Sequence, residues 1–101
     1  MRVITGSAKG KRLETLSGVA VRPTTDRVKE AIFSAIQFEI DGRNFLDLFA
    51  GSGQMAIEAL SRGALSASLV DSSRESVNVI KKNLELCRLC GKAEIFNTDY
   101  F

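Results

Sequence analysis

From Asn44 onward the chain alternates short apolar runs with helical stripes, and this order leaves few folds open. Phe45-Leu46-Asp47-Leu48-Phe49 reads as a strand buried on both faces, and Ala50-Gly51-Ser52-Gly53 as a tight turn. Met55, Ala56, Ile57, Ala59 and Leu60 then lie on a helix that Gly63 can cap. Ala67 to Val70 forms a second strand ending at Asp71. Ser72 and Glu75 have capping-box spacing ahead of a helix whose stripe is Val77, Ile80, Leu84 and Cys87. Gly91 ends that helix, and Ala93 to Asn97 is a third strand. A βαβαβ order of this kind requires a parallel sheet with right-handed crossovers, so the class is α/β.

The first forty residues read differently. Met1 to Gly6 and Lys11 to Thr15 look like two short strands joined by Ser7-Ala8-Lys9-Gly10, which predicts a β-hairpin. Pro23 holds Arg22 extended. Thr24 or Thr25 can then cap a helix with Asp26 on its positive end, and Val28, Ala31, Ile32, Ala35 and Ile36 form its apolar stripe. Phe33 lies off that stripe and faces another element. Residues 1–30 hold seven basic and three acidic side chains, whereas the whole chain carries only +2. The two readings of this imbalance are an arm that meets a polyanion and a hairpin whose charges are merely solvated.

Two scarcities exclude whole classes of chemistry. The absence of histidine removes histidine bases, histidine triads and histidine metal ligands. A single proline, Pro23, forbids any Pro-Pro motif. No apolar run is long enough for a membrane span, and the start lacks a signal peptide's pattern, so the expected address is cytoplasmic. Cys87-Arg88-Leu89-Cys90 has the spacing of a zinc or redox pair. Zinc would need two further ligands that the sequence does not supply. The pair also sits near a helix C-terminus, where the dipole opposes thiolate, so packing is the favoured reading and no metal is expected.

Gly51 and Gly53, with Ala56 three residues on, satisfy a nucleotide fingerprint between a strand and a helix. Asp71 follows Gly51 by 20 residues, at the next strand's end, where an acid can accept hydrogen bonds from both ribose hydroxyls of an adenosine. Asp99 ends the third strand in the same way. Taken singly, Asp47, Asp71 and Asp99 are ordinary loop or cap residues, but three in register at neighbouring strand ends suggest a ligand site. An acid four residues before the glycine turn would repel a dinucleotide's pyrophosphate. Asp47 there suits a cation, such as the amino group of S-adenosylmethionine, better than NAD.

Arg22-Pro23-Thr24-Thr25-Asp26-Arg27-Val28-Lys29-Glu30-Ala31-Ile32-Phe33, then Leu46 to Gly53, then Ile57-Glu58-Ala59-Leu60-Ser61-Arg62-Gly63-Ala64, resembles the bacterial 16S rRNA guanine-N2 methyltransferase family (RsmD). Met1 to Gly6 with Lys9 to Leu13 is similar to that family's N-terminal hairpin. The resemblance implies a partial class I S-adenosylmethionine-dependent methyltransferase fold, Rossmann-like, with an N-terminal β-hairpin. It implies methyl transfer to a guanine exocyclic amine in 16S rRNA or a small-subunit assembly intermediate. By that likeness Asp47, Gly51 and Gly53 line the methionine side of S-adenosylmethionine, Asp71 its ribose and Asp99 its adenine, with Phe49, Ala50 and Ser52 of the same turn also binding the cofactor. Arg22, Thr25 and Arg27 match a signature stretch that faces the cofactor pocket or the RNA, and Arg2, Lys9, Lys11 and Arg12 grip phosphates.

The family's Asp-Pro-Pro-Tyr tetrapeptide, which stacks on and orients the target base, has no counterpart in a chain whose one proline is Pro23. No catalytic residue is therefore assigned. Residues 1–21 are expected to be a basic hairpin and linker, and 22–101 the cofactor-binding half of a methyltransferase domain, inactive alone. Its open sheet edge would invite self-association. The competing readings are an NAD-binding oxidoreductase fragment and a non-catalytic RNA-binding module.

Overall fold

A computed structural model describes residues 2–16, 23–48 and 50–98. Within them, α1 (Pro23–Ala35) is followed by β1 (Asn44–Asp47), α2 (Gln54–Ser61), β2 (Ser66–Asp71), α3 (Arg74–Cys87), a single 3-10 turn at Cys90–Lys92, and β3 (Ala93–Asn97). The three strands form one parallel sheet in the order β1-β2-β3. Phe45 lies opposite Ala67, and Leu69 opposite Ile95. The βαβαβ reading and the α/β class stand.

The register sorts the side chains onto two sheet faces. Phe45, Asp47, Ala67, Leu69, Ala93 and Ile95 share one, because alternate residues point the same way. Both α2 and α3 pack there, with Ile57, Leu60, Ile80 and Leu84 filling the space beneath them. The opposite face carries Leu46, Leu48 and Phe96, and Leu46 is 62% exposed. At 25 cal/mol per Å², water contact on such side chains is unfavourable (about 1 kcal/mol or more each), so this face carries a standing apolar cost.

Four local expectations need correction. The N-terminal hairpin is reduced to one antiparallel bridge between Arg2 and Arg12, around turns at residues 5–10. Its strands cannot extend because their backbone donors are used elsewhere: Ile4 and Thr5 N–H bond the Glu58 carboxylate, Ser7 N–H the Ser61 carbonyl, and Ala8 N–H the Ser61 hydroxyl. On α1 the predicted stripe is largely wet. Val28 is 54% exposed, and Lys29 and Phe33 are the buried pair. Phe33 stacks on Phe45 of β1 with centroids 6.3 Å apart, which rotates the helix away from the Val28–Ile32 face.

The third correction concerns the start of α3. Its cap is Ser73, whose hydroxyl accepts from Ser76 N–H at 3.3 Å, so Ser72 and Glu75 do not form the box. At the other end Gly91 is not the terminator. Arg88 takes the left-handed conformation (φ 58°) while Leu89 N–H returns to the Leu84 carbonyl and Arg88 N–H to that of Glu85. Buried Leu89 beside Leu84 completes this cap, and the apolar contact outweighs the strain of a non-glycine residue. Gly63 caps α2 by the same bonding pattern, as its position in the sequence implies.

Candidate functional site

The glycine turn sits where β1 ends, and three separate contacts set its shape. Asp71 Oδ2, at the end of β2, accepts from Gly51 N–H at 2.9 Å, while Oδ1 accepts from Ser73 N–H at 2.9 Å. Asn83 of α3 donates from Nδ2 to the Ser52 carbonyl at 2.9 Å. Gly53 N–H closes the turn onto the Ala50 carbonyl, and Ala50 N–H joins the turn to the Val70 carbonyl. Gly53 (φ +81°) must be glycine on two counts, since a Cβ would lie 3.2 Å from Ile80 Cγ1 and 3.3 Å from Leu69 Cδ2. Gly51 (φ +56°) differs, because a Cβ there would meet nothing within 4 Å among the described residues.

Among the described residues, then, nothing covers Gly51, and the Asp71 carboxylate lies against it. Asp47 ends β1 opposite Leu69, two residues before Asp71 ends β2. Each Asp71 oxygen already holds one backbone N–H and keeps a second lone pair, so hydroxyl donors can still be accepted. An Asp71 held this way can take a pair of vicinal hydroxyls, whereas a pyrophosphate would meet its negative charge. The structure thus brings together Ala50, Gly51, Ser52, Gly53 and Asp71 of the anticipated residues, and places Asp47 at the end of the neighbouring strand. Phe49, Asp99 and Arg22 lie outside the described residues, and of Thr25 only its backbone position in the first turn of α1 is described.

The basic residues belong to other elements. Arg2, Lys9, Lys11 and Arg12 are all exposed on the N-terminal arm, with Arg2 and Arg12 paired across it. Arg27 is exposed on α1. Lys29, by contrast, is only 1% exposed and belongs to the interior.

Sequence reasoning passed over the residues that hold this arm in place. Glu58 of α2 is fully buried and binds Ile4 N–H (2.9 Å), Thr5 N–H (3.1 Å), Arg62 Nε (2.9 Å) and Lys29 Nζ (3.3 Å). Lys29 Nζ also donates to the Arg2 carbonyl at 2.9 Å, and the Arg62 guanidinium lies 5.0 Å over the Phe33 ring. Burial alone would push the Glu58 carboxyl up. The bonds from Ile4, Arg62 and Thr5, with the Lys29 charge, outweigh that and hold it below its ordinary 4.5. The available signal was a charged residue inside the apolar run Ala56-Ile57-Glu58-Ala59-Leu60. Asn83, also fully buried, gave a similar signal by falling on the Ile80–Leu84 stripe.

Cys87 is buried, and burial raises its thiol pKa against a smaller opposing effect of Lys11, while Cys90 is exposed. Burial agrees with the packing reading for Cys87; no group of three metal-ligating side chains occurs among the described residues. No helix among them is long and apolar enough to cross a membrane.

Comparison with known proteins agrees with this picture. A family model described as Conserved hypothetical protein 95 matches residues 1–101. The chain is 46% identical over 99 residues to YlbH of Bacillus subtilis, covering 98% of this chain and 54% of that protein. It is 38% identical over 98 residues to the ribosomal RNA small subunit methyltransferase D of Haemophilus influenzae, covering 96% and 51% respectively. The solved structure of Escherichia coli yhhF superposes with a TM-score of 0.86 at 33% identity, over 98% of this chain and 52% of that one. The chain spans about half the length of the relatives it matches.

Proposed function

Starting from the fact that the chain belongs to the Conserved hypothetical protein 95 family, that of the ribosomal RNA small subunit methyltransferases D, we propose that it is the N-terminal, cofactor-binding portion of an RNA methyltransferase. The reaction is methyl transfer from S-adenosylmethionine to the exocyclic N2 of a guanine in 16S rRNA, as free RNA or within a small-subunit assembly intermediate. The observation that carries the cofactor assignment is the Asp71–Gly51 hydrogen bond at 2.9 Å beneath an open Gly51 surface, with Asp47 ending the adjacent strand.

In this reading Asp71 takes the ribose hydroxyls and Asp47 the amino group of the methionine portion. The turn from Phe49 to Gly53 passes beneath the methionine side, Thr25 borders the pocket, and Asp99 reaches the adenine. When bound, S-adenosylmethionine supplies an activated methyl group, so the amine needs orientation more than deprotonation. Residues 22–101 hold the cofactor, and residues 1–21 form the arm. There Arg2, Lys9, Lys11 and Arg12, with Arg22 and Arg27, neutralise phosphates without reading bases. Lacking a Pro-Pro tetrapeptide, the chain alone positions no target base and transfers no methyl group.

Isothermal titration tests the cofactor assignment. Saturable binding of S-adenosylhomocysteine with no heat from NADH is expected; the reverse pattern means a dinucleotide fragment. Radiolabelled methyl incorporation into 16S rRNA by this chain would refute the inactivity. For the arm, a K9E/K11E/R12E variant should bind RNA with a salt slope shallower by about 2, at about 0.7 per lost phosphate contact. An unchanged slope removes the arm from the RNA interface.

A further inference from the structure

Asn83 does more than fill the interior. Its neighbours on the buried face of α3 are Val77, Ile80, Leu84 and Cys87, so an amide here must be fully bonded to be tolerated. It is: Oδ1 accepts from Glu14 N–H at 2.7 Å, and Nδ2 donates to the Glu14 carbonyl at 3.0 Å and the Ser52 carbonyl at 2.9 Å. One side chain thus satisfies both backbone groups of Glu14, as a neighbouring strand would, and spends its remaining proton on the glycine turn.

The three partners fix which atom is which. Glu14 N–H can only donate and the two carbonyls can only accept, so the oxygen must face the former and the NH₂ the latter. Aspartate would set one acceptor oxygen, in place of the NH₂, against the two carbonyls. Leucine would leave all three backbone groups bare.

The placement matters because of what each partner belongs to. Ser52 lies between Gly51, held by Asp71, and Gly53, packed on Ile80 and Leu69. Glu14 lies two residues beyond Arg12 and three beyond Lys11, on the arm. The Asp71 and Ile80 contacts bind the turn to the sheet and α3, whereas Asn83 alone among these three also holds the arm.

We propose that Asn83 is a positioning residue that couples the basic arm to the cofactor turn, so that RNA held by the arm and cofactor held by the turn alter each other's affinity. This rests on the cofactor and RNA assignments above. Any shift of the Glu14 backbone on RNA binding acts on the amide plane, and through it on the Ser52 carbonyl. The coupling is reciprocal, as linkage requires.

The test is isothermal titration of S-adenosylhomocysteine into the chain, with and without a short RNA oligonucleotide bound. For the unaltered chain, RNA should change the dissociation constant by about 5-fold or more. N83D should bind S-adenosylhomocysteine about tenfold more weakly, from the unsatisfied Ser52 carbonyl, and show no response to RNA. E14P removes one N–H at the arm end and leaves the Asn83–Ser52 bond intact. It should keep closer to the parent affinity than N83D does and lose most of the RNA response, and it carries the test if N83D does not fold.

An E14P chain with the full RNA response overturns the proposal, as does a parent chain that binds both ligands independently. If the parent chain binds no S-adenosylhomocysteine at all, the cofactor assignment fails and the coupling fails with it. That result is separable from a failure of Asn83 alone, in which binding persists and only the response is missing or survives the substitution.

Discussion

Replacing Glu58 with glutamine keeps its shape and removes the charge that four donors share. The carboxylate faces Ile4 N–H, Thr5 N–H, Arg62 Nε and Lys29 Nζ within 3.3 Å and is closed to water. A glutamine offers one acceptor oxygen and turns an NH₂ toward the remaining donors. Lys29, itself buried, is left with only the Arg2 carbonyl among the partners described. Breaking a buried ion pair from one side costs about 3–5 kcal/mol, against a typical domain stability of about 5–15 kcal/mol.

In urea, with a slope of about 1–3 kcal/mol per M, the E58Q midpoint should fall by more than about 1 M. K29M should lose less, because Glu58 then keeps three N–H donors including the Arg62 cation. The double variant should recover part of the E58Q loss. The pH dependence supplies an internal control. The folded Glu58 carboxyl lies below its ordinary 4.5, so its contribution is complete above that value and disappears as pH falls through the lower, folded one. E58Q should lack this component of acid unfolding. A midpoint within about 0.2 M of the parent at neutral pH, together with an unchanged acid limb, refutes the reasoning.

Three further outcomes follow from local geometry. The series G6A, G53A and G51A should destabilise in that order, because the added Cβ meets the Ser61 carbonyl oxygen head-on, Ile80 at 3.2 Å and nothing among the described residues, respectively. G51A then costs only the left-handed strain of roughly 1–2 kcal/mol, and equal losses for G6A and G51A in urea would contradict the packing described. R88G should raise stability by about 0.5–1 kcal/mol, since Arg88 holds φ 58° at the end of α3; a lower melting temperature would show that its side chain contributes more than the strain costs. In thiol titration of the native chain Cys90 should react promptly and Cys87 only on unfolding, and two equally fast thiols would place Cys87 at the surface.

Much of the sheet was legible because each element there is decided locally. The strand β2, the cap at Gly63 and the stripe Val77, Ile80, Leu84, Cys87 need only their own residues to be recognised. The helix α1 was not decided locally. Val28, Ala31 and Ile32 have helical spacing and so do Lys29, Phe33 and Ile36, and hydrophobicity favours the first set. Glu58 overrides that choice by drawing Lys29 inward, 29 residues away along the chain. The same long-range pairing converted a hairpin into an arm whose donors point at α2. Within the site, Asp71 and the glycines were readable from spacing, whereas Asn83 looked like one more polar residue until its three partners were seen together.

The arm's dependence on Glu58 and Ser61 has a kinetic side. Its bonds to α2 join residues 53 to 56 apart, so the arm cannot dock on α2 until the sixty-first residue exists. On a ribosome this basic segment is made before its α2 partners and waits, without them, in surroundings dense with phosphate. Closing a loop of that length costs entropy before any contact repays it. The arm should therefore be among the last parts to order and among the first to open, with fast amide exchange at Ile4 and Thr5 while Ile57 and Leu60 are still protected.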